Sequence, residues 1–237
     1  MGENSSLTPV AGHLYVVATP IGNLADLSQR ASSILCQCSL IACEDTRVSR
    51  KLLSAIGSDR PTVSYRDANE QAEAIRLADR LDAGESIALV CDAGTPTISD
   101  PGFRLVRECR KRGIPVVPVP GPAAMVTALM ASGLPTDGFL YLGFLPPKKA
   151  ARLRTFEKFK DFEYTLVFYE SCHRIEKFIA DAIDILGPER VASLGRELTK
   201  QHETFLVGSL SEIQSQLTGK NLKGEFVVIV GPSRFCL

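Results

Sequence analysis

The sequence has no excess of charge of either sign, because its 27 lysine and arginine residues are matched by 27 aspartate and glutamate residues. A basic excess is the usual sign of a nucleic-acid-binding protein, so the overall charge gives no argument for one. A local basic surface is not excluded. With 237 residues, 45% of them apolar and 23% charged, the chain has the composition of an ordinary globular protein.

The chain also lacks the patterns of several other protein classes. Its seven cysteines are odd in number and include no Cys-x-x-Cys pair, which argues against a zinc site or a disulfide framework and favours reduced thiols. No apolar run approaches the roughly 20 residues needed to cross a bilayer. Residues 1–12 have neither the basic start nor the apolar middle of a signal peptide. We therefore expect a cytoplasmic protein with no metal and no membrane partner.

Short apolar runs alternate with longer amphipathic segments in the first half of the chain. The pattern predicts strands near residues 14–18, 39–42, 62–64, 87–90 and 115–119, with a helix between each pair. Such alternation predicts a parallel sheet built from right-handed crossovers. Prolines in the last run indicate an edge strand, and Gly113 is expected to end the helix Phe103–Arg112.

The second half has a different order of elements. Helices are predicted near residues 123–131, 175–186 and 210–216, and strands near 139–142, 164–169, 191–194, 204–207 and 225–230, with residues 143–152 as a loop. Adjacent strands without a helix between them indicate a mixed sheet. We expect an N-terminal tail at 1–12, an N-terminal α/β domain at 13–119 and a C-terminal α/β domain at 120–237.

The segment Cys91–Gly102, CDAGTPTISDPG, has the strongest chemical signal. It follows a buried strand and precedes a helix, which is where open α/β sheets bind ligands. Asp100 followed by Pro101 is typical of a helix N-cap and first helical residue. A capped turn alone could explain the polar residues, but their density favours a ligand site.

Three other segments allow two interpretations each. In Cys43–Lys51, Glu44, Asp45 and Arg47 could orient a hydroxyl group or hold a phosphate, or Asp45 or Thr46 could simply cap the following helix. In Pro146–Arg154, four cations could contact an RNA backbone or form a solvated helix start. The turn Val119–Ala124 has small residues that would let a flat group such as adenine lie against the backbone, or it merely starts a helix.

The loop Ala18–Asp26, ATPIGNLAD, contains one isolated glycine. It matches neither the dinucleotide fingerprint G-x-G-x-x-G nor a P-loop. Because the required glycines are missing, a dinucleotide site and a P-loop phosphate site are both excluded here. His173 is the only histidine in a promising context, and a single histidine is more often structural than catalytic.

Taken together, these segments resemble one family, the ribosomal small-subunit RNA cytidine 2′-O-methyltransferases of the tetrapyrrole-methylase superfamily. The similar segments, in order, are ATPIGNLAD (18–26), CEDTR (43–47), CDAGTPTISDPGFRLV (91–106), PVPGPAA (118–124), GLPTDGFLYLGFLPPKKAAR (133–152), FYESCHR (168–174), GRELTK (195–200) and KGEFVV (223–228). They span nearly the whole chain, and CDAGTPTISDPG and GFLPPK are highly specific.

The resemblance implies a two-domain class III methyltransferase fold with S-adenosylmethionine in a cleft between the domains. It implies a homodimer and a cytidine ribose of small-subunit ribosomal RNA as substrate. The cofactor-binding residues it implies are Asp92, Gly94, Thr95, Pro96, Ile98, Ser99, Asp100, Gly121, Ala123, Ala124, Tyr169, Arg196 and Glu197. The candidates for RNA binding are Arg47, Lys148, Lys149 and Arg152, and those for catalysis are Glu44, Asp45 and Lys149.

The sequence departs from the family pattern in places. Cys91 replaces a serine, Cys172 replaces a proline, and SYRDANE (64–70) replaces a histidine-rich stretch. Relatives often continue beyond the segment that ends this sequence, so we expect no RNA contact from such an extension. The alternative function is methylation of a tetrapyrrole precursor, although those relatives usually have a G-x-G-x-G turn where Ala18–Asp26 stands. A ligand-binding regulator without chemistry is a third hypothesis.

Overall fold

The computed structural model describes residues 8–237, so most of the predicted tail at 1–12 lies outside the described residues. Contacts divide the chain into two units, Met1–Ala123 and Ala124–Leu237. Within the described part, no helix is both long and apolar enough to cross a membrane. Over the same residues, no group of three His, Cys, Asp or Glu side chains is placed to hold a metal ion.

The N-terminal unit contains a five-stranded parallel sheet in the order β3-β2-β4-β1-β5. Its elements are β1 (Leu14–Val17), α1 (Gln29–Gln37), β2 (Leu40–Cys43), α2 (Thr46–Ala55), β3 (Thr62–Ser64), α3 (Glu70–Asp82), β4 (Ile87–Val90), α4 (Phe103–Arg112) and β5 (Val116–Val119). A short 3₁₀ turn, Leu24–Asp26, follows β1. Strand β5 lies at the sheet edge, which confirms the prediction from its prolines.

Helices cover both faces of this sheet, so its central strands are apolar on both sides. Strands β2 and β4 are buried at every residue. One core cluster packs α3 and α4 against one face, and a second packs α1 and α2 against the other. This arrangement leaves the polar ends of the strands as the places where the unit can bind a ligand.

The C-terminal unit contains a mixed sheet in the order β6-β7-β10-β8-β9. Its elements are α5 (Ala124–Ala131), β6 (Phe139–Phe144), α6 (Lys149–Lys158), β7 (Thr165–Ser171), α7 (Ile175–Leu186), β8 (Val191–Arg196), β9 (Thr204–Ser209), α8 (Leu210–Gln216), a 3₁₀ turn (Gly219–Leu222) and β10 (Glu225–Val230). Only β6 and β7 pair in parallel, and the other pairs are antiparallel. The α/β fold with one parallel and one mixed sheet is therefore confirmed.

The segment predicted as a loop at 143–152 is a strand end and a helix start instead. Strand β6 continues to Phe144, and α6 begins at Lys149. The buried positions of α6 are Arg152 and Phe156, four residues apart on one face. Because an arginine occupies one of the two core positions, the apolar periodicity that would predict a helix is missing.

The start of α4 is stabilised by side chains from other elements, which corrects the expectation that Asp100 caps it. The N-cap is Gly102, with φ of 135°. Oε1 of Glu70 accepts hydrogen bonds from the backbone N–H groups of Gly102 (3.0 Å) and Arg104 (3.1 Å). The Tyr65 hydroxyl accepts one from Leu105 N–H (3.1 Å) and donates to Glu70. The helix start therefore does not depend on the Asp100 side chain.

Replacing Glu70 with alanine should therefore destabilise the protein. Two N–H groups at the start of α4 would lose their acceptor, which typically costs about 1–2 kcal/mol. The control is Glu73→Ala on the same helix, which removes an ion pair with the exposed Arg76 but no hydrogen bond to the start of α4, and it should cost less than Glu70→Ala. Urea denaturation followed by circular dichroism measures both. Equal midpoints for the two variants would contradict this account of the cap.

Candidate functional site

The loops after β1 and β4 are joined at the carboxyl end of the parallel sheet. Thr19 and Gly94 exchange backbone hydrogen bonds of 2.8 and 3.0 Å. Thr95 Oγ1 donates to Pro122 O (3.0 Å), which ties the same loop to the turn after β5. Three segments that the sequence singled out are therefore held together at one edge of the sheet.

Unusual backbone conformations mark two segments of the described chain. Thr97 and Ser99 have φ of 74° and 63°, and Glu197 and Thr199 have φ of 51° and 65°. These four are the only non-glycine residues with positive φ in the part of the chain that the structure describes. Such conformations cost energy and concentrate at functional sites. They fall in Cys91–Gly102 and in GRELTK (195–200), two of the segments that carry the family resemblance.

Gly94 and Gly121 have structural reasons to be glycine. Gly94 has φ of 88°, and an added Cβ would lie 3.3 Å from Cγ2 of Ile21. At Gly121 a Cβ would lie 3.1 Å from the Cβ of Ala18. A side chain at either position would disturb the packing of these loops against each other, so a substitution there would not report on ligand binding alone.

A pocket of about 450 Å³ lies in the N-terminal unit beside β1, β5 and α4. This volume is within the usual range of small-molecule sites, about 300–1,000 Å³. Its lining is largely apolar and includes four of the cofactor candidates, Thr95, Pro96, Ile98 and Gly121. The lining side chain of Arg110 was not singled out by the sequence, because its place on α4 is typical of a solvated cation.

Carboxylates gather at the carboxyl ends of β2 and β4. Burial raises the pKa of Asp100 to about 6, and the nearby charges of Glu44, Asp92 and Asp67 add to that rise. The same causes, burial first and then Asp92, raise the pKa of Glu44. Asp92 Oδ1 also accepts the backbone N–H of Asp45 at 3.0 Å, which links the two loops. The site is therefore strongly negative.

Asp45 lies in this region, but its carboxylate stabilises the start of helix α2. Its carboxylate caps α2 by accepting the N–H of Arg47 (2.8 Å), and it forms an ion pair with the Arg47 guanidinium (2.6 Å). These bonds to Arg47 lower the pKa of Asp45 to about 2. A carboxylate with so low a pKa is a poor proton acceptor. The capping interpretation is correct for Asp45, and its low pKa argues against a role as proton acceptor.

In the C-terminal unit, Tyr169 and Ala124 lie near each other at the start of α5. The Tyr169 hydroxyl accepts the backbone N–H of Met125 at 3.1 Å, and Ala124 is the first residue of the helix. The Tyr169 ring is flanked by Tyr141 and Phe144, with centroid distances of 5.0 and 5.7 Å. Tyr169 thus joins a strand end to a helix start and forms part of an aromatic cluster.

The GRELTK segment is held by its own side chains. Arg196 is buried and donates from Nε to Lys223 O (2.6 Å) and from Nη1 to His202 O (3.0 Å). The Glu197 carboxylate accepts from Lys200 Nζ (2.9 Å) and from Glu225 N–H (3.0 Å). The Nε and Nη1 groups of Arg196 therefore have a structural role and are not free for a cofactor.

The cations proposed for RNA binding have different environments. Arg152 is 3% exposed, pairs with the buried Asp181 and donates to the carbonyl of Pro147 (3.3 Å). It cannot reach a phosphate, which corrects the expectation for this residue. Lys149 lies 3.3 Å from Asp181, and this contact raises the pKa of Lys149, so it is no proton acceptor. Lys148 is exposed at the N-cap of α6.

The comparisons with known proteins agree with this fold. Residues 13–214 match the family of Tetrapyrrole (Corrin/Porphyrin) Methylases. A protein of Mesorhizobium japonicum named ribosomal RNA small subunit methyltransferase I is 47% identical over 95% of this chain and 77% of its own length. A protein of that name in Xylella fastidiosa is 50% identical over 92% of this chain and 81% of its own.

Known structures show the same architecture at much lower identity. A diphthine synthase has a TM-score of 0.72 at 13% identity, covering 92% of this chain and 90% of its own. A uroporphyrin-III-C-methyltransferase from Thermus thermophilus has a TM-score of 0.64 at 20% identity, covering 94% and 95%. The chain therefore belongs to the tetrapyrrole methylase family. It is an enzyme, and its reaction is methyl transfer.

Replacing Asp100 with asparagine should stabilise the protein at pH 7.5. The folded state raises the pKa of Asp100 from 3.8 to about 6, so ionisation above that pH costs folding free energy. Removing the charge should gain about 1 kcal/mol after allowance for solvent screening at this half-buried site.

The gain should shrink as the pH falls through 6 and vanish below 3.8, where Asp100 is protonated in both states. Thermal unfolding of wild type and variant across this pH range measures it. Asp26→Asn, an exposed change in the loop after β1, is the control and should leave stability unaltered. A loss of stability at pH 7.5, or a difference independent of pH, would contradict the account.

Proposed function

We propose that this chain methylates the ribose 2′-oxygen of a cytidine in small-subunit ribosomal RNA, with S-adenosylmethionine as the methyl donor. The observation that carries the proposal is 47–50% identity, over nearly the whole chain, to proteins named ribosomal RNA small subunit methyltransferase I. The absence of a G-x-G-x-G turn at Ala18–Asp26 favours RNA over a tetrapyrrole as the substrate.

The carboxylates of the N-terminal unit suit a cationic donor. S-adenosylmethionine is cationic at sulfur and at its amino group, and it would offset the repulsion among Glu44, Asp92 and Asp100. A related uroporphyrin-III C-methyltransferase has been crystallised with S-adenosyl homocysteine, the demethylated form of the donor. We propose that Asp92, Ser99 and Asp100 face the positive groups of the donor and that Thr95, Pro96, Ile98 and Gly121 supply apolar and backbone contacts. We propose that Ala123, Ala124, Tyr169 and Glu197 also contact the donor.

The bound donor supplies an electrophilic methyl group, and the residues of the chain must prepare the hydroxyl that receives it. A ribose hydroxyl is a weak nucleophile whose proton has to leave during the transfer. Burial raises the pKa of Glu44, whereas bonds to Arg47 lower that of Asp45, so Glu44 is the better proton acceptor of these two catalytic candidates. Alignment of the hydroxyl with the methyl group would provide much of the remaining rate.

The test is methyl transfer from labelled donor to small ribosomal subunits that lack the modification. We expect one labelled cytidine per subunit, and the bond on its 3′ side should resist alkaline cleavage because the 2′-oxygen is blocked. Large subunits are the matched control and should gain no label. Label on a base nitrogen or carbon, or transfer only to a tetrapyrrole, would contradict the proposal. Homodimer formation and a cytoplasmic location stay predictions.

A further inference from the structure

The aromatic ring of Phe144, the last residue of β6, is exposed. The Phe144 side chain is 54% exposed, although its neighbour Leu145 is 4% exposed and packs in the core of the C-terminal unit. A single exposed apolar side chain is common on protein surfaces, so the case for a ligand contact depends on what surrounds this ring.

A β-bulge sets the direction of this ring. In the pairing of β6 with β7, Tyr141 lies opposite Val167 and Phe144 lies opposite Tyr169, with a register shift between Tyr141 and Gly143. Val167 and Tyr169 are two residues apart and share a face, so the extra residue places Tyr141 and Phe144 on that face too. The rings of Tyr141 and Phe144 both meet the Tyr169 ring edge to face, at 71° and 67°.

Two arginine side chains donate hydrogen bonds to the backbone after Phe144. Arg174 donates to Leu145 O (3.1 Å) and is itself held by the buried Glu170 (2.8 Å). Arg152 donates to Pro147 O (3.3 Å) and pairs with Asp181. Two consecutive prolines restrict the same stretch further. The backbone that follows the ring is therefore held by contacts within the protein, which lowers the entropy cost of binding there.

The charge near this ring is positive. Lys148 follows Phe144 by four residues, at most about 14 Å along an extended chain, and is exposed. An aromatic ring for a base and a cation for the phosphate are the two components of single-stranded nucleic-acid binding. The methyl donor also contains a flat base, but it is cationic, so nearby lysines favour the polyanion.

We propose that Phe144 is a stacking platform for a nucleobase of the RNA substrate, with Lys148 contacting a neighbouring phosphate. The inference rests on the proposed function and adds to it where the RNA is held. Stacking on an aromatic side chain requires a flat ring but no particular hydrogen bond, so Phe144 would add affinity and orientation rather than sequence readout.

The test compares Phe144→Leu, which keeps an apolar side chain, with Phe144→Trp, which keeps a flat ring. Binding of unmodified small subunits is measured by filter retention at several salt concentrations. Phe144→Leu should weaken binding about 5- to 100-fold, and Phe144→Trp should bind within a factor of about two of wild type. The salt dependence should stay unchanged in both. Lys148→Ala should instead reduce the salt slope by about 0.7, as loss of one phosphate contact does.

Phe139→Leu is the matched control, because Phe139 is 44% exposed on the same strand but lies at its opposite end. It should bind subunits as wild type does. Calorimetric titration with S-adenosylmethionine should give the same affinity for wild type and both Phe144 variants, which also shows that the variants are folded. Unaltered subunit binding by Phe144→Leu would overturn the inference, as would a loss confined to donor affinity. If wild type itself bound no subunits, the proposed function would fail together with it.

Discussion

The loop Cys91–Gly102 has to turn back over the carboxyl end of β4 and still lead into α4, and much of the N-terminal unit follows from that requirement. The turn is made with positive φ at Thr97 and Ser99, which costs energy at both residues. The backbone pair between Thr19 and Gly94 holds its start, and Glu70 with Tyr65 holds its end. Because neighbouring elements supply these bonds, both ends of the loop are fixed without any help from a ligand.

The electrostatics around Asp100 and Glu44 favour a cationic ligand. Asp100 and Glu44 stay in surroundings that disfavour their charged forms, and burial is the largest cause for both. A protein selected for stability alone would replace one of them with a neutral residue. A cationic ligand gives these carboxylates a reason to remain, because its binding would recover the free energy that their repulsion costs in the empty site. In the C-terminal unit, the end of β6 differs from this region, because it presents the exposed ring of Phe144 and is followed by the exposed Lys148.

Much of the fold could be predicted from the sequence, because apolar periodicity reports burial directly. The strand Thr62–Ser64 and the helix Phe103–Arg112 have the bounds that the pattern predicts. The extent and the buried face of helix α6 could not be predicted, because Arg152 resembles a surface cation until its buried partner Asp181 is known. The sequence predicts that Asp100 caps α4, whereas the acceptor is Glu70, which lies 32 residues before the N-cap residue Gly102. Long-range polar pairing leaves no local pattern. The bulge that places Phe144 on the same face as Tyr141 could not be predicted either, because it depends on the pairing of β6 with β7.

The central claim is that the strand-end loop Cys91–Gly102 binds the methyl donor. Hydrogen–deuterium exchange of the intact protein, with and without saturating S-adenosylmethionine, tests it without any substitution. We expect slower exchange of the amides of residues 92–100 when the donor is bound. Exchange in helix α1, which packs on the sheet face opposite α4, should be unchanged. Donor binding with no added protection in residues 92–100 would contradict it.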